Sequence, residues 1–566
     1  MIKLQQFNVL AFTYDRLKNS KFNINITPLE AQQNEELIAL ADSEVLRAIR
    51  RVTKHPFDRF MLDYYLLEKK KITKLKNSTV NRNRIAEINN FIMRQLFIPD
   101  YISITTSKKV SYKKIGRDGF YVNGVHFVRL LCGASQARTN RSIFVSSAIH
   151  NELNEILQCG CNMDIEIIAA KYSAYFALTA SSSIRVSTPR VCVVPDKEIQ
   201  MTKTVDWVDE SENGKQDIIT RQEKELNFNL WDGMGLISPE FAEKWSNELE
   251  LGYNTSAFCI RSVWVKGMCC VFDFHKFSKE IAHKNIVKDL YGNEVNIDNI
   301  DIIISQSQFK MWSAYKSWQD YEEKLIKSGI NWGITKIAPK EDDEKHFCRS
   351  NYQFLQVLNL NNDDLFELCQ PTIDLMNGVM GGSLENMELY LLGKNAKKED
   401  LQDKWDNIRD NFTKALLLAP ELIEDNYIYN RIVDSLNKRI RQTYIGKILM
   451  QSNFQVLISD PYGYCQHIFG MEITGLLKDR EFYSNYWNRK GVSEVIAQRS
   501  PLTWRSEVNL LPLVKNEQTE YWYKYIKSGI IFNVWGVDCL LAGGADFDFD
   551  ILYTTDNPMM IKGRYK

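Results

Sequence analysis

Near residue 545 the sequence reads Gly543-Gly544-Ala545-Asp546-Phe547-Asp548-Phe549-Asp550. Three carboxylates stand at i, i+2 and i+4. In an extended or looped backbone that spacing sends them to one side and the two phenylalanines to the other. Close carboxylates repel unless a cation sits among them, and magnesium takes hard oxygen ligands in octahedral geometry. The phenylalanines can anchor such a loop in an apolar core, giving a rigid cradle suited to two-metal chemistry on phosphates. Two other readings of the same residues stand beside this one. One is an acidic strand with a wet face. The other is a weak calcium loop, although the residues that follow, ILYTTDNP, lack the glutamate that ends an EF-hand loop. The motif alone does not choose among them.

Composition narrows the class. The 566 residues correspond to about three or four domains at roughly 100–200 residues each. Hydrophobic residues make up 44% and charged residues 25%, the balance of an ordinary globular chain with large cores. No stretch reaches the ~18 uninterrupted apolar residues of a membrane span, and the start, MIKLQQFNVLAFTYDRLKNSK, does not read as a signal peptide. The 11 cysteines lack paired CxxC spacing, so they are expected to be reduced core residues in a reducing cytosol. With 71 basic and 71 acidic residues the net charge is zero, which excludes coating nucleic acid by charge alone but not a local basic channel. Lys69 to Lys76 and Lys108 to Lys114 are the lysine runs available for backbone phosphate.

The hydrophobic period changes along the chain. Asn34 to Gln95 reads as helical, through EELIALADSEVLRAIRRV and RIAEINNFIMRQLF. From Tyr101 short strand-like runs follow, YISITTS, KVSYKKI and GFYVNGVHFVRLL, then a helix AIHNELNEIL ending at Cys159-Gly160. Asp164 to Phe274 reads as mostly strand, in DIEIIAA, RVSTPRVCVVPD, TSAFCIRSVWV and GMCCVFDF, with a polar surface loop over Asp206–Glu223 and a helix opened by Pro239. Ser305 to Lys447 reads as helical, including KSWQDYEEKLIKS and KKEDLQDKWDNIRDNF, with a break at Gly381-Gly382. A second strand-rich region runs from Phe454 to Tyr553. The order predicts four parts: an extension over 1–160, a β module over 161–304, a helical connector over 305–447 and a second β module over 448–566.

Several further segments, in order, resemble the two-barrel RNA polymerase superfamily, which includes the cellular multisubunit enzymes, the RNA-dependent polymerases of gene silencing and the polymerases of crAss-like phages. Trp231-Asp232-Gly233-Met234-Gly235-Leu236-Ile237-Ser238-Pro239 resembles the DGxGxIS signature of the silencing enzymes. Ser256-Ala257-Phe258-Cys259-Ile260-Arg261 with Lys266-Gly267-Met268 resembles the first-barrel lysine segment. Asp460-Pro461-Tyr462-Gly463 with Gly475-Leu476-Leu477 resembles the opening of the second barrel and is read as a turn between strands. Arg499-Ser500-Pro501 through Arg505 resembles the R-x-P element before the metal loop. Weaker upstream likenesses lie at Ala170-Lys171-Tyr172 to Ser181-Ser182-Ser183 and at Gly133 to Asn140. The likeness covers most of 120–556.

The resemblance implies an α+β fold of two double-psi β-barrels joined by a helical connector, with an N-terminal helical and β extension. It implies template-directed nucleotidyl transfer with release of pyrophosphate, and two Mg2+ ions. Asp546, Asp548 and Asp550 would be metal ligands, with Lys266 and Arg499 neutralising phosphate charge. Arg261, Lys244 and Arg505 are further phosphate-binding candidates. Phe549 stands where most of the family has glycine, and a bulky apolar residue there points to the crAss-like phage branch. Gly544 stands where the bacterial enzyme's ribose-reading asparagine lies, so ribose selection by that route does not carry over.

The favoured function is a phage-type DNA-directed RNA polymerase catalytic subunit. The alternatives are an RNA-directed enzyme of the silencing type, a non-catalytic virion cargo protein retaining the barrels, and a two-metal nuclease. Implied partners are nucleic-acid template, nascent RNA, nucleoside triphosphates and a second subunit supplying the bridge-helix and trigger-loop region, because 16 residues follow Asp550. The implied locations are the bacterial host cytoplasm and the virion, with no membrane.

Overall fold

In the computed structural model, described here for residues 4–73, 79–106, 109–132, 140–210, 214–341, 347–392, 408, 410–502 and 504–565, the continuous apolar runs become doubly covered strands. Val191–Val194, Met234–Ile237 and Ile302–Ser305 are buried at every position, as a strand packed on both faces requires. They belong to one seven-stranded sheet. Its order is Ile184–Val186, Trp332–Ile337, Ala257–Ser262, Val265–Val271, Met234–Ile237, Ile302–Ser305, Val191–Val194. Ala257–Ser262 and Val265–Val271 form a hairpin, and Met234–Ile237 lies parallel to the hairpin's second strand.

A second, six-stranded sheet has the order Phe482–Tyr483, Ile530–Phe532, Asn453–Ser459, Ile551–Thr555, Glu494–Gln498, Asn509–Pro512. Both sheets curl, and their inner faces share one apolar core. Met234, Cys270 and Ile303 of the first lie in the same buried cluster as Leu457, Ile531 and Leu552 of the second. This is the expected α+β fold of two barrel modules. A third sheet of seven strands, with the helices Glu44–Val52 and Ser147–Gln158 packed on it, makes the N-terminal extension.

Between the barrels the chain makes a helical excursion. Its helices are Tyr352–Gln356, Asn362–Met380, Leu384–Leu392, Asn411–Leu418 and Asn426–Thr443. The two ends meet in a short ribbon, Phe347–Arg349 antiparallel to Leu449–Gln451. The break at Gly381-Gly382 falls between two helices as the sequence predicts. Nine of the 11 cysteines are buried and serve as small core residues.

Six segments depart from expectation. Leu37–Ala41 is a strand rather than helix, paired with Gln6–Thr13; a five-residue apolar run fits either period, and the helix waits for the Ser43 cap. Lys109–Asp118 is a helix rather than strand. In DIEIIAA, Asp164–Ile168 makes no strand and Ala169 opens a helix to Phe176. There Tyr172 and Phe176, one turn apart, pack on Trp264 at 5.4 and 6.1 Å. The polar loop expected at 206–223 is part of a long ribbon, Glu198–Glu210 with Gln216–Asn229. Near its base Ile199, Met201 and Leu226 pack on the shared core, but toward its tip Val208, Ile218 and Ile219 are exposed and the polar residues carry no apolar alternation. Trp332–Ile337, expected in the helical connector, inserts as a strand between Ile184–Val186 and Ala257–Ser262. Asp460-Pro461 starts a helix, Pro461–Ile468, rather than turning between strands.

Candidate active site

Ala545 to Asp550 forms the loop between the short helix Asp538–Leu541 and the strand Ile551–Thr555. Phe547 and Phe549 are 3% and 5% exposed, so the phenylalanines do anchor the loop in the shared core. Phe549 has φ +89°, the left-handed region. That conformation costs a residue with a Cβ roughly 1–2 kcal/mol, and burial of the ring holds it there.

The first barrel meets this loop through backbone. Phe547 N–H donates to the Asp232 carbonyl at 2.9 Å. Gly233, at φ +77°, faces the loop directly: a Cβ there would lie 2.7 Å from Asp548 Cβ. Gly267 backs onto the same turn, where a Cβ would lie 2.5 Å from the Gly233 carbonyl oxygen. Met268 N–H donates to that oxygen at 2.9 Å. These two glycines let the strand carrying Lys266 and the turn carrying Asp232 close on the aspartates. Buried Gln308 braces the strand, donating to the Met268 carbonyl at 3.0 Å and accepting from Ser305 N–H at 2.9 Å.

The charges are ordered across the barrels. Lys266 Nζ pairs with Asp548 Oδ2. Arg499 Nη2 lies 2.9 Å from Asp550 Oδ2, and its Nη1 donates to the Gly543 carbonyl at 3.0 Å. Asp550 also accepts from Asp546 N–H at 3.0 Å. Asp546 is pushed up to about 6, chiefly by burial and then by the charges of Asp232, Asp548 and Asp550, with Lys266 opposing. Two further charges join the site that the sequence does not assign to it. Asp232 lies inside the Trp231–Pro239 segment, whereas no sequence signal marks Lys310, whose N–H donates to the Trp264 carbonyl at 2.8 Å and whose ammonium feels Asp232, Lys266, Asp548 and Asp546.

The remaining candidates do not converge on the loop. Arg261 is the cross-strand partner of Lys266, but its Nη1 donates to the Ile260 carbonyl at 2.7 Å. Lys244 lies over the Phe241 ring and near Asp301. Arg505 stacks between Trp504 and Tyr565. Asp460 is structural: its carboxylate caps the helix at Tyr462 and Gly463 and accepts from Leu476 N–H at 2.7 Å. Its carbonyl accepts from Trp231 Nε1, a further tie between barrels. Lys69, Lys70 and Lys71 lie on the helix Arg59–Thr73, away from the elements that build the site. Lys74, Lys76, Lys108, residues 133–139 and most of KKEDLQDKWDNIRDNF fall outside the described residues.

Asp232, Asp546, Asp548 and Asp550 repel one another and form a hard-oxygen donor set of the kind magnesium takes. Asp548 and Asp550 are turned to Lys266 and Arg499, and among the described residues no three acidic, histidine or cysteine groups already stand in metal-holding geometry. The residues fit the ion in chemistry, and their side chains must swing off the cations to hold it.

The model of the RNA dependent RNA polymerase family matches residues 81–564. The chain belongs to that family. The RNA dependent RNA polymerase family's match runs through both barrels and the aspartate loop. The DNA-directed RNA polymerase YonO of Bacillus phage SPbeta is 30% identical over 424 residues, covering 72% of this chain and 46% of YonO. The structure of the RNA dependent RNA polymerase QDE-1 from Thielavia terrestris superposes with a TM-score of 0.54 at 12% identity, over 82% of this chain and 50% of QDE-1. The chain thus spans about half the length of these relatives. Among the described residues no helix is long and apolar enough to cross a membrane.

Proposed function

We propose that this chain is the catalytic core of a phage-type DNA-directed RNA polymerase. The observation that carries the reading is the closure of Lys266 and the Asp232-Gly233 turn on the aspartate loop, with Arg499 at its other end. In this reading Asp546, Asp548 and Asp550 would hold magnesium, with Asp232 adding charge; the metal would supply activation of the 3′-hydroxyl and charge stabilisation of the leaving pyrophosphate. Lys266 and Arg499 then exchange their aspartate partners for phosphate oxygens, supplying charge where it develops during transfer. Lys310 adds a third cation on the first-barrel side. The buried phenylalanines keep the loop from moving as charges are exchanged.

DNA as template is favoured by the 30% identity to YonO, a DNA-directed RNA polymerase. RNA as template is the second reading, favoured by membership of the RNA dependent RNA polymerase family and by the fold shared with QDE-1. Extension of an RNA primer on single-stranded DNA against single-stranded RNA separates them. The assay is run with and without a second chain carrying the bridge-helix and trigger-loop region, because the chain spans half the length of its relatives. Greater extension on DNA supports the reading, and extension on RNA alone overturns the choice of template. Action in the host cytoplasm, after delivery with the virion, is part of the proposal; the chain should then be found in purified particles.

A further inference from the structure

The helical connector and the base of the second barrel enclose a cavity of about 760 Å3 that shares no residue with the aspartate site. Its size lies within the ~300–1,000 Å3 of small-molecule sites. Leu375, Met376, Leu389 and Leu449 give it an apolar floor. Arg349, Arg439 and Lys447 stand on its wall, and among the described residues no carboxylate lines it. Arg349 and Arg439 both donate to one neutral acceptor, Gln442 Oε1, at 2.8 and 3.3 Å. Among the described residues these guanidiniums have no ion-pair partner. Two neighbouring cations sharing one amide oxygen are under-compensated, and an anion between them relieves the repulsion.

The lining therefore asks for a ligand with an apolar body and several negative charges. A fatty acid brings one charge and leaves two cations unmatched. A nucleoside polyphosphate brings an aromatic base for the floor and enough charge for all three.

We propose that this cavity is a second nucleotide site, taking a nucleoside polyphosphate either free or as the 5′ end of an RNA. The site stands whether or not the aspartate loop polymerises.

The test is photo-crosslinking of the full chain with 8-azido-ATP, followed by peptide mapping. Adducts are expected on peptides spanning 372–390 or 439–454. They should be displaced by inorganic tripolyphosphate, kept in Asp548→Ala, and reduced at least tenfold in the double variant Arg349→Gln with Arg439→Gln. These arginines lie on the cavity rim, so their loss should leave the far-ultraviolet circular dichroism unchanged; Leu389→Trp, which fills the floor, should reduce the adduct with the charges intact. Two further arms use one azido-labelled RNA carrying a 5′-triphosphate or a 5′-hydroxyl. Labelling by the triphosphate form alone identifies an RNA end, and labelling by 8-azido-ATP without either RNA identifies a free nucleotide. Adducts confined to barrel peptides, or unchanged in both the arginine and leucine variants, overturn the proposal.

Discussion

Phe549 carries two opposed effects whose magnitudes decide a mutant's sign. Replacement by glycine relieves the left-handed strain at φ +89°, worth roughly 1–2 kcal/mol. It also removes a buried ring, and Phe-to-small substitutions in cores cost about 3–5 kcal/mol. Packing wins, so Phe549→Gly is expected to lower stability by about 2–3 kcal/mol in urea denaturation; an unchanged or raised midpoint would show that strain dominates. Lys266 is the other decisive residue. Lys266→Gln removes the charge opposite Asp548, and loss of one preorganised charge of this kind costs about 10²–10³ in rate. RNA extension should fall by that factor while thermal unfolding moves little. A loss below fivefold would place Lys266 outside the chemistry.

At the scale of elements, the site depends on how closely a turn, a strand and a loop approach. Gly233→Ala puts a methyl 2.7 Å from Asp548 Cβ on a backbone at φ +77°. Extension is expected to drop at least a hundredfold, with circular dichroism close to wild type; near-normal activity would show that the turn can retreat without cost. The second tie between barrels runs through His467, which stacks on Trp231 at 5.7 Å and bonds the Pro195 carbonyl at 2.9 Å. Burial holds its imidazole below the ordinary 6.5, with nearby Lys197 acting in the same direction and Asp196 against. Above pH 6.5 it is neutral folded and unfolded alike. As pH falls below 6.5 the unfolded chain takes up the proton first, so stability is lost until the folded value is passed. The slope of urea midpoint against pH between 6.5 and 5 should therefore be smaller in His467→Gln than in wild type, and an identical slope would assign the acid loss elsewhere.

What was legible in the sequence follows the same scale. The aspartate loop was visible because three carboxylates stand at short, fixed spacing, whereas Lys266 and Arg499 were visible only through the resemblance of the segments that carry them. Asp232 was visible only as part of a motif, since its role comes from a backbone bond to Phe547, 315 positions away in sequence. Lys310 gave no signal, because a lone lysine after a short turn is ordinary until its surroundings are known. The outer part of the ribbon, over 206–223, reads as a loop because there its two strands have no core face and no period-2 apolar pattern. Leu37–Ala41 failed for the opposite reason: its apolar run was too short to separate strand from helix.

Across the whole molecule, one buried cluster includes residues from both barrel sheets. Leu368 of the connector joins Ile496 and Tyr553 of the second barrel, whereas Leu375, Val379 and Met387 belong to a small separate cluster. The barrels are therefore expected to open as one body and the connector before them. Hydrogen exchange should protect Val265–Val271 and Asn453–Ser459 to a common limit, with Asn362–Met380 opening earlier. Unequal limits for the two barrel strands would separate the modules energetically.

The central claim is that the aspartates of the second barrel and the lysine of the first form one polymerising centre. The direct measurement is magnesium-dependent RNA primer extension by the full chain, wild type against Asp548→Ala, with the second-chain candidate present in both arms. The account predicts templated extension by wild type and loss of at least a thousandfold in the variant. Equal extension by the two proteins would contradict it.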